Sequence, residues 1–185
     1  MSAPIFALRR TMFRALCLAL ALSAACAPAD ERASGEGAEP QPRRPAIDLS
    51  GDLAGSDFVE LERDLLRRIN ARRYARRRPP LAWDEAVSEA AREHSRAMAR
   101  GDVPFGHGGF EARAEALRSS IGWRAIAENV AMNNFPRDST VRRAVLGLVA
   151  SPEHLRNIVG DFERSGVGVA RSRDGRYFFT QIFIR

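Results

Sequence analysis

The segment that most constrains the fold is the last one, Tyr177–Ile184, which is dense in aromatic and β-branched residues. This composition predicts a strand. Alternate residues of a strand face opposite sides of a sheet, and here both sets are largely apolar. One set is Tyr177, Phe179 and Phe183, and the other is Phe178, Ile182 and Ile184. A strand with two apolar faces belongs in a sheet that is covered on both sides.

Two further strands are expected to pair with it. Gly166-Val167-Gly168-Val169-Ala170 reads as the neighbouring strand of a hairpin, because Asp174-Gly175 supplies a turn signal. Residues 123–133 read as an extended segment. Apolar periodicity and terminator residues predict helices over residues 57–77, 85–100, 111–118 and 141–149, and a further helix that starts at Ser151. We therefore expect an α+β fold, a three-layer α-β-α sandwich around a small antiparallel sheet.

Local signals refine the helical elements. Asp84 is expected to cap the second helix, and one of Asp138, Ser139 and Thr140 the helix over 141–149. In Ser151-Pro152-Glu153-His154, serine suits the N-cap and proline the first helical position. Leu81 and Trp83, between the first two helices, are expected in the core. His94 shares a stripe with apolar and small residues, so we expect a buried, hydrogen-bonded histidine.

The N-terminal 56 residues are expected to lie outside the folded domain. Residues 1–26 read as an export signal, because arginines precede a short apolar run and small residues lead to Cys26. The run before Cys26 also resembles a bacterial lipoprotein box, which predicts a lipid anchor at Cys26 in the membrane; plain secretory cleavage is the alternative. Residues 27–56 are poor in large apolar groups and predict a disordered tether. The folded domain is then 57–185, without an internal disulfide.

The charge of the chain does not indicate a nucleic-acid partner. Formal net charge is +6, and all 29 basic residues are arginine. These arginines are scattered, and stacking aromatic residues do not interleave with them. Arginines of the first helix predict a solvated face, with a membrane- or phosphate-binding patch as the alternative. We expect an exported monomer.

Three polar side chains between residues 107 and 154 are candidates for one site. His107 lies among glycines, which allow close backbone approach. Glu128 interrupts an apolar extended segment and needs a partner, either an arginine such as Arg113 or a histidine or metal. His154 falls at the third position of its helix, where the dipole favours neutral imidazole. Ser151 is expected to cap that helix, which lowers its value as a nucleophile.

Eight motifs in fixed order resemble the CAP superfamily, the domain of cysteine-rich secretory proteins, insect antigen 5 and plant pathogenesis-related 1. They are Ile69-Asn70-Ala71-Arg72-Arg73, Pro80-Leu81-Ala82-Trp83, Ala90-Ala91-Arg92-Glu93-His94, His107, Glu128-Asn129, the run from Ser151 to Ile158, Gly166-Val167-Gly168-Val169-Ala170 and the strand from Tyr177. The disulfide-free pattern looks like the bacterial branch.

This resemblance implies a cleft where His107, Glu128 and His154 meet, with Asn129 and Ser151 beside them. A second glutamate that is frequent in the family is replaced by Ser151. Family members are mostly regarded as binding modules for lipids, sterols, cations or proteins. We therefore expect a non-enzymatic module that binds a divalent cation or a small apolar ligand such as a lipid or sterol.

The donor set favours zinc as the cation, since two imidazoles and one carboxylate are ligands that zinc accepts. A metal-free hydrogen-bond cluster of the same three residues is the structural alternative. The functional alternative is a metal-assisted hydrolase, a protease or esterase, that uses His107, Glu128 and His154.

Overall fold

The computed structural model describes residues 56–185, with side chains from Phe58 onward. All of them belong to one compact unit. The predicted export signal, Cys26 and nearly all of the predicted tether lie outside the described residues, so the predicted domain boundaries stay predictions. No helix within residues 56–185 is both long and apolar enough to cross a membrane.

Five helices and four strands alternate along this part of the chain. In order they are α1 Ser56–Tyr74, β1 Ala82–Trp83, α2 Glu85–Arg100, α3 Phe110–Ile121, β2 Ile126–Asn133, α4 Arg137–Ala150, α5 Pro152–Ile158, β3 Arg164–Arg171 and β4 Tyr177–Ile184. The predicted bounds of α2 and of the terminal hairpin agree closely with these ranges.

The four strands form one mixed sheet in the order β1-β3-β4-β2. β4 is antiparallel to both β2 and β3, as expected, with Glu128 opposite Ile182. The sequence did not predict β1, which pairs parallel to β3. Asn70 of α1 holds the residue before this strand, since its side chain donates to the Leu81 carbonyl at 3.0 Å and accepts from the Leu81 amide at 2.8 Å.

Helices cover both faces of the sheet, and every residue of β4 is buried. On one side α1, α4 and α5 pack over Val167, Phe179 and Phe183. On the other, α2 and α3 lie against Ile182 and Ile184. The three-layer α-β-α sandwich is thus confirmed, and the two apolar parities of β4 are its physical cause.

Most capping predictions hold, and one is wrong. The Asp84 carboxylate accepts the Val87 amide at 3.1 Å, and the Ser151 hydroxyl accepts the His154 amide at 3.4 Å. α4 instead begins at Arg137 after Pro136, without a side-chain cap. The Thr140 hydroxyl donates to the Asn133 side-chain oxygen at 2.6 Å, so it binds the last residue of β2 instead of capping α4.

Trp83 is only half-buried, in contrast to Leu81, which is buried as expected. The Arg63 guanidinium lies 3.8 Å from the indole ring centre, and the indole N–H donates to Glu85 at 2.7 Å. The side chain therefore bridges the core and the surface, because its polar edge finds an exposed carboxylate.

Candidate functional site

Glu128 is the centre of the candidate site. Its side chain is 1% exposed, although it lies on β2, at one edge of the sheet. The Arg113 guanidinium of α3 donates Nη2 to Oε2 at 2.8 Å and Nε to the same oxygen at 3.1 Å. His107 Nδ1 lies 2.9 Å from Oε1. Both partners foreseen from the sequence, an arginine and a histidine, therefore contact this buried carboxylate.

The loop between α2 and α3 presents His107 to solvent. Gly106 and Gly109 have φ angles of +143° and +74°, which only glycine adopts readily. Arg113 also donates Nη1 to the Gly108 carbonyl at 2.8 Å, so the residue that holds Glu128 holds the loop too. Because an ionised carboxylate only accepts, the contact assigns the proton of a neutral His107 to Nδ1, which leaves the Nε2 lone pair for a ligand. The imidazole is 52% exposed and so accessible to a ligand.

His154 approaches from the opposite side of β2, on the first turn of α5. The ring centres of His107 and His154 are 6.5 Å apart, with the ring planes inclined by 49°. Burial lowers the pKa of His154, and the nearby His107 lowers this pKa further. A neutral imidazole at neutral pH follows, as the helix position predicted.

Asn129 and Ser151 have structural roles in this arrangement. The Asn129 side chain is buried and donates to the His154 carbonyl at 3.1 Å, while its oxygen accepts from Asn157 at 2.8 Å. Asn157 also donates to the Glu128 carbonyl at 3.3 Å. These bonds tie α5 to the outer edge of β2 and so fix the position of His154. The sequence predicted neither the contacts of Asn157, which lies in the motif from Ser151 to Ile158, nor this role of Asn129.

His94 supports the loop that carries His107. It is buried on α2 as expected, and its Nε2 lies 2.8 Å from the Gly106 carbonyl oxygen. Burial lowers the pKa of His94. A buried neutral histidine that bonds the carbonyl before His107 is a support for the loop, in line with the predicted core role.

The three predicted site residues thus converge, although not as three open ligands. Glu128 Oε1 and Oε2 already accept from Arg113 and His107. Among residues 56–185 no cluster of three or more His, Cys, Asp or Glu side chains is arranged to hold a metal ion. The two imidazoles remain as nitrogen ligands that suit zinc, and the Glu128 carboxylate orients the imidazole of His107. The zinc site stays a prediction.

Comparisons with known proteins bear on the fold and the family. The solved structures similar to this chain include three bacterial proteins. An extracellular protein with an SCP domain from Bacillus anthracis is 28% identical, with a TM-score of 0.55 over 68% of this chain and 40% of that one. An outer surface protein of Borrelia burgdorferi is 18% identical, with a TM-score of 0.59 over 70% of this chain and 96% of that one. A cysteine-rich secretory protein from Staphylococcus aureus is 17% identical, with a TM-score of 0.54, over 68% of this chain and 38% of that one.

The chain therefore spans less than half of the Bacillus and Staphylococcus structures, and the two likenesses under 20% identity show the fold alone. No curated protein matches this chain significantly. The model of the CAP family, described as the cysteine-rich secretory protein family, matches residues 66–183, from the middle of α1 to the end of β4. The site and the sheet both fall within that match, and the chain belongs to the CAP family.

Proposed function

We propose that this protein is an exported, non-enzymatic binding module whose cleft takes a divalent cation, zinc by preference, between His107 and His154. The observation that carries this proposal is the 2.9 Å contact between His107 Nδ1 and the buried Glu128 carboxylate. In the neutral imidazole this contact places the proton on Nδ1 and leaves the Nε2 lone pair available to a metal ion. Carboxylate-bound imidazoles of this kind are typical zinc ligands.

The spacing of the two rings supports a shared ion after a small movement. Two imidazoles on one tetrahedral zinc have ring centres about 5 Å apart, given a Zn–N distance of about 2 Å. His107 and His154 are 6.5 Å apart, and His107 is on an exposed loop, so a rotation of its side chain closes the gap. Water would complete the coordination. Ca²⁺ and Mg²⁺ are disfavoured because they prefer oxygen ligands.

Glu128 acts in this proposal as the hydrogen-bond acceptor that orients His107 without touching the ion. Its negative charge is balanced by Arg113, whose side chain is 15% exposed, and a carboxylate in a bidentate ion pair has little capacity left for a cation. The ion would therefore be bound by two protein ligands, which favours a weak site.

The hydrolase alternative has less support. The Ser151 hydroxyl accepts the His154 amide and caps α5, so it is not positioned as a nucleophile. A metal-assisted route would need Glu128 as the base for a water molecule, but Arg113 holds both of its oxygens. In this arrangement Ser151 is not available as a nucleophile, and Glu128 is not available as a base.

A small apolar ligand at this cleft also has less support than a cation. The groups that meet there are imidazole, carboxylate and guanidinium, and an apolar molecule would leave them without compensation for lost water. A lipid or sterol would need a different surface of the domain.

Export is the second part of the proposal. It rests on the signal read from residues 1–26 and on the similar structures, of which one is an extracellular protein and another an outer surface protein. Membrane attachment through a lipid on Cys26 belongs to this proposal as well.

Zinc titration by calorimetry tests the cleft. We expect binding heat at about pH 7.5 that is largely lost at about pH 5.5, because both imidazoles must be neutral to ligate and histidine titrates near pH 6.5. Burial lowers the pKa of His154, so protonation of this ligand begins below the pH at which an exposed histidine protonates. Zinc binding should therefore weaken as the pH falls.

Variants make this test specific. His107→Ala and His154→Ala should each abolish the heat, and Glu128→Gln should weaken binding about 10–100-fold by disorienting His107. Glu115→Gln removes an exposed carboxylate on α3 and should change nothing. Absent heat at both pH values, or heat in the two histidine variants as large as in the unaltered protein, would leave the cluster as architecture without a metal.

Replacing Cys26 with serine tests the anchor. Cell fractionation should move the protein from the membrane to the soluble exported fraction, because the thiol is the proposed lipid attachment site. The unaltered protein should carry a lipid mass by mass spectrometry. A variant that stays in the membrane fraction, or an unaltered chain without lipid, contradicts anchoring.

A further inference from the structure

A groove lies between α1 and α4, on the helical layer that contains neither His107 nor Glu128. Its volume is about 200 Å³, and Arg68, Ala71, Arg72, Arg142, Val145 and Leu146 line it. We refer to this feature as the arginine groove. Half of its lining residues are arginines, and their charges converge there because two separate helices contribute them.

The charge of the groove is only partly compensated. Asp64 pairs with Arg68 at 2.8 Å, but the same carboxylate also pairs with Arg67 at 2.8 Å. Among the side chains that the structure describes, from Phe58 to Arg185, no ion pair joins Arg72 or Arg142 to a carboxylate. The lining residues of the groove thus carry three positive charges and no negative one, and Asp64 is shared between Arg68 and Arg67. An excess of guanidinium groups suits phosphate, which they bind through paired hydrogen bonds.

Exposed apolar side chains border these charges. Leu146 lines the groove and is 43% exposed. Tyr74 is 84% exposed and follows the lining residue Ala71 by three positions on α1, which places the two side chains on neighbouring turns. A soluble anion would make no use of an exposed tyrosine and leucine. A bilayer would contact both side chains, because tyrosine favours the level of the lipid headgroups and arginine binds the headgroup phosphates.

We propose that the arginine groove, with Tyr74 and Leu146 at its border, is a docking surface for an anionic phospholipid bilayer. The guanidinium groups of Arg68, Arg72 and Arg142 contact headgroup phosphates, and the two apolar side chains enter the interface. The surface is independent of the His107 cleft, and the proposal stands or falls separately from zinc binding.

Vesicle co-sedimentation tests this surface on the unlipidated chain from residue 27. We expect binding to vesicles of equal parts phosphatidylglycerol and phosphatidylcholine, little binding to pure phosphatidylcholine, and loss at high salt. Combining Arg68→Gln, Arg72→Gln and Arg142→Gln should weaken binding about a hundredfold, since each arginine at an anionic surface contributes about fivefold. Tyr74→Ser should weaken it further without changing the charge.

A matched variant with the same change in charge is the control. Arg96→Gln, Arg100→Gln and Arg118→Gln alter one half-buried and two exposed arginines of α2 and α3, on the opposite helical layer. Binding of this control should fall less than about threefold, as expected for charges outside the contact. Equal losses in both triple variants would mean non-specific attraction and overturn the proposal. So would equal binding to both vesicle types, or full competition by millimolar inorganic phosphate, which would make the groove a site for a soluble anion.

Discussion

The Gly168→Ala variant should lose about 3 kcal/mol or more of its free energy of unfolding, at the upper end of the range for overpacking. Gly168 lies on β3 directly beneath α2. A Cβ added at this position would overlap backbone atoms of Ala91 and Arg92. Backbone cannot rotate out of the way as a side chain can, so the helix would have to lift from the sheet. Denaturant unfolding followed by circular dichroism measures the loss.

Gly147→Ala is the matched control for this variant. Gly147 lies in α4, and a Cβ added there meets nothing within 4 Å. Alanine should therefore raise the free energy of unfolding by about 0.5–1 kcal/mol, because glycine is a poor helix former. If Gly168→Ala cost less than about 1 kcal/mol, α2 would not be packed on β3 as closely as described.

The close approach of α2 to β3 also explains a sequence pattern. Gly166 lies two residues earlier on the same face of β3, and its Cβ would overlap the backbone of Val87 and Ser88. The alternation Gly166-Val167-Gly168 thus removes side chains where the helix backbone passes, while Val167 faces the other layer. The small residues on α2 serve the same contact from the other side.

The second large effect is expected at Arg73, which is 0% exposed. Its guanidinium donates to four backbone carbonyls: Pro79 at 2.7 Å, Ile158 at 2.8 Å, Gly160 at 2.9 Å and Phe162 at 3.0 Å. These carbonyls belong to the segment after α1, to the last residue of α5 and to the segment after α5. One side chain therefore joins two loops far apart in sequence. Burial lowers the pKa of Arg73, as does the nearby Arg78.

Arg73→Met should reduce the free energy of unfolding by about 3–5 kcal/mol, because each buried carbonyl left without a donor costs about 1–3 kcal/mol. Arg73→Lys should recover only part of this loss, since one ammonium group cannot reach both loops as a planar guanidinium does. Arg72→Met, at the exposed neighbouring position, should change stability by less than about 0.5 kcal/mol. Denaturant titration measures all three, and a small loss in Arg73→Met would mean that the loops hold together without it.

Much of the architecture could be predicted because it depends on local patterns. Alternation in Tyr177–Ile184 required two covering layers, and the Asp174-Gly175 turn paired that strand with its neighbour. The caps Asp84 and Ser151 marked two helix starts, since capping involves residues within one turn. The order of the motifs then pointed to the CAP family, which the family match to residues 66–183 shows.

Two features were beyond local patterns because they depend on which elements meet. β1 has two residues, too few for a periodic signal, and exists because β3 supplies its hydrogen bonds while Asn70 holds Leu81 just before it. Arg73 reads as one more member of an exposed basic run, yet tertiary contacts with two loops bury it. The position of Arg73 on the helix does not by itself predict whether the side chain is exposed to solvent or donates to backbone carbonyls.

The candidate site also has features that the sequence predicted and features that only the tertiary structure decided. From sequence alone, the histidines, Glu128 and the need of this carboxylate for a partner were foreseeable, because each follows from residue chemistry and local position. Only the tertiary structure decided that Arg113 and His107 both contact Glu128, and that Asn129 ties β2 to α5. These contacts join residues on different elements, so their distances depend on how the loop, the sheet edge and α5 pack together. That packing makes Glu128 a buried support for His107 instead of a third open ligand.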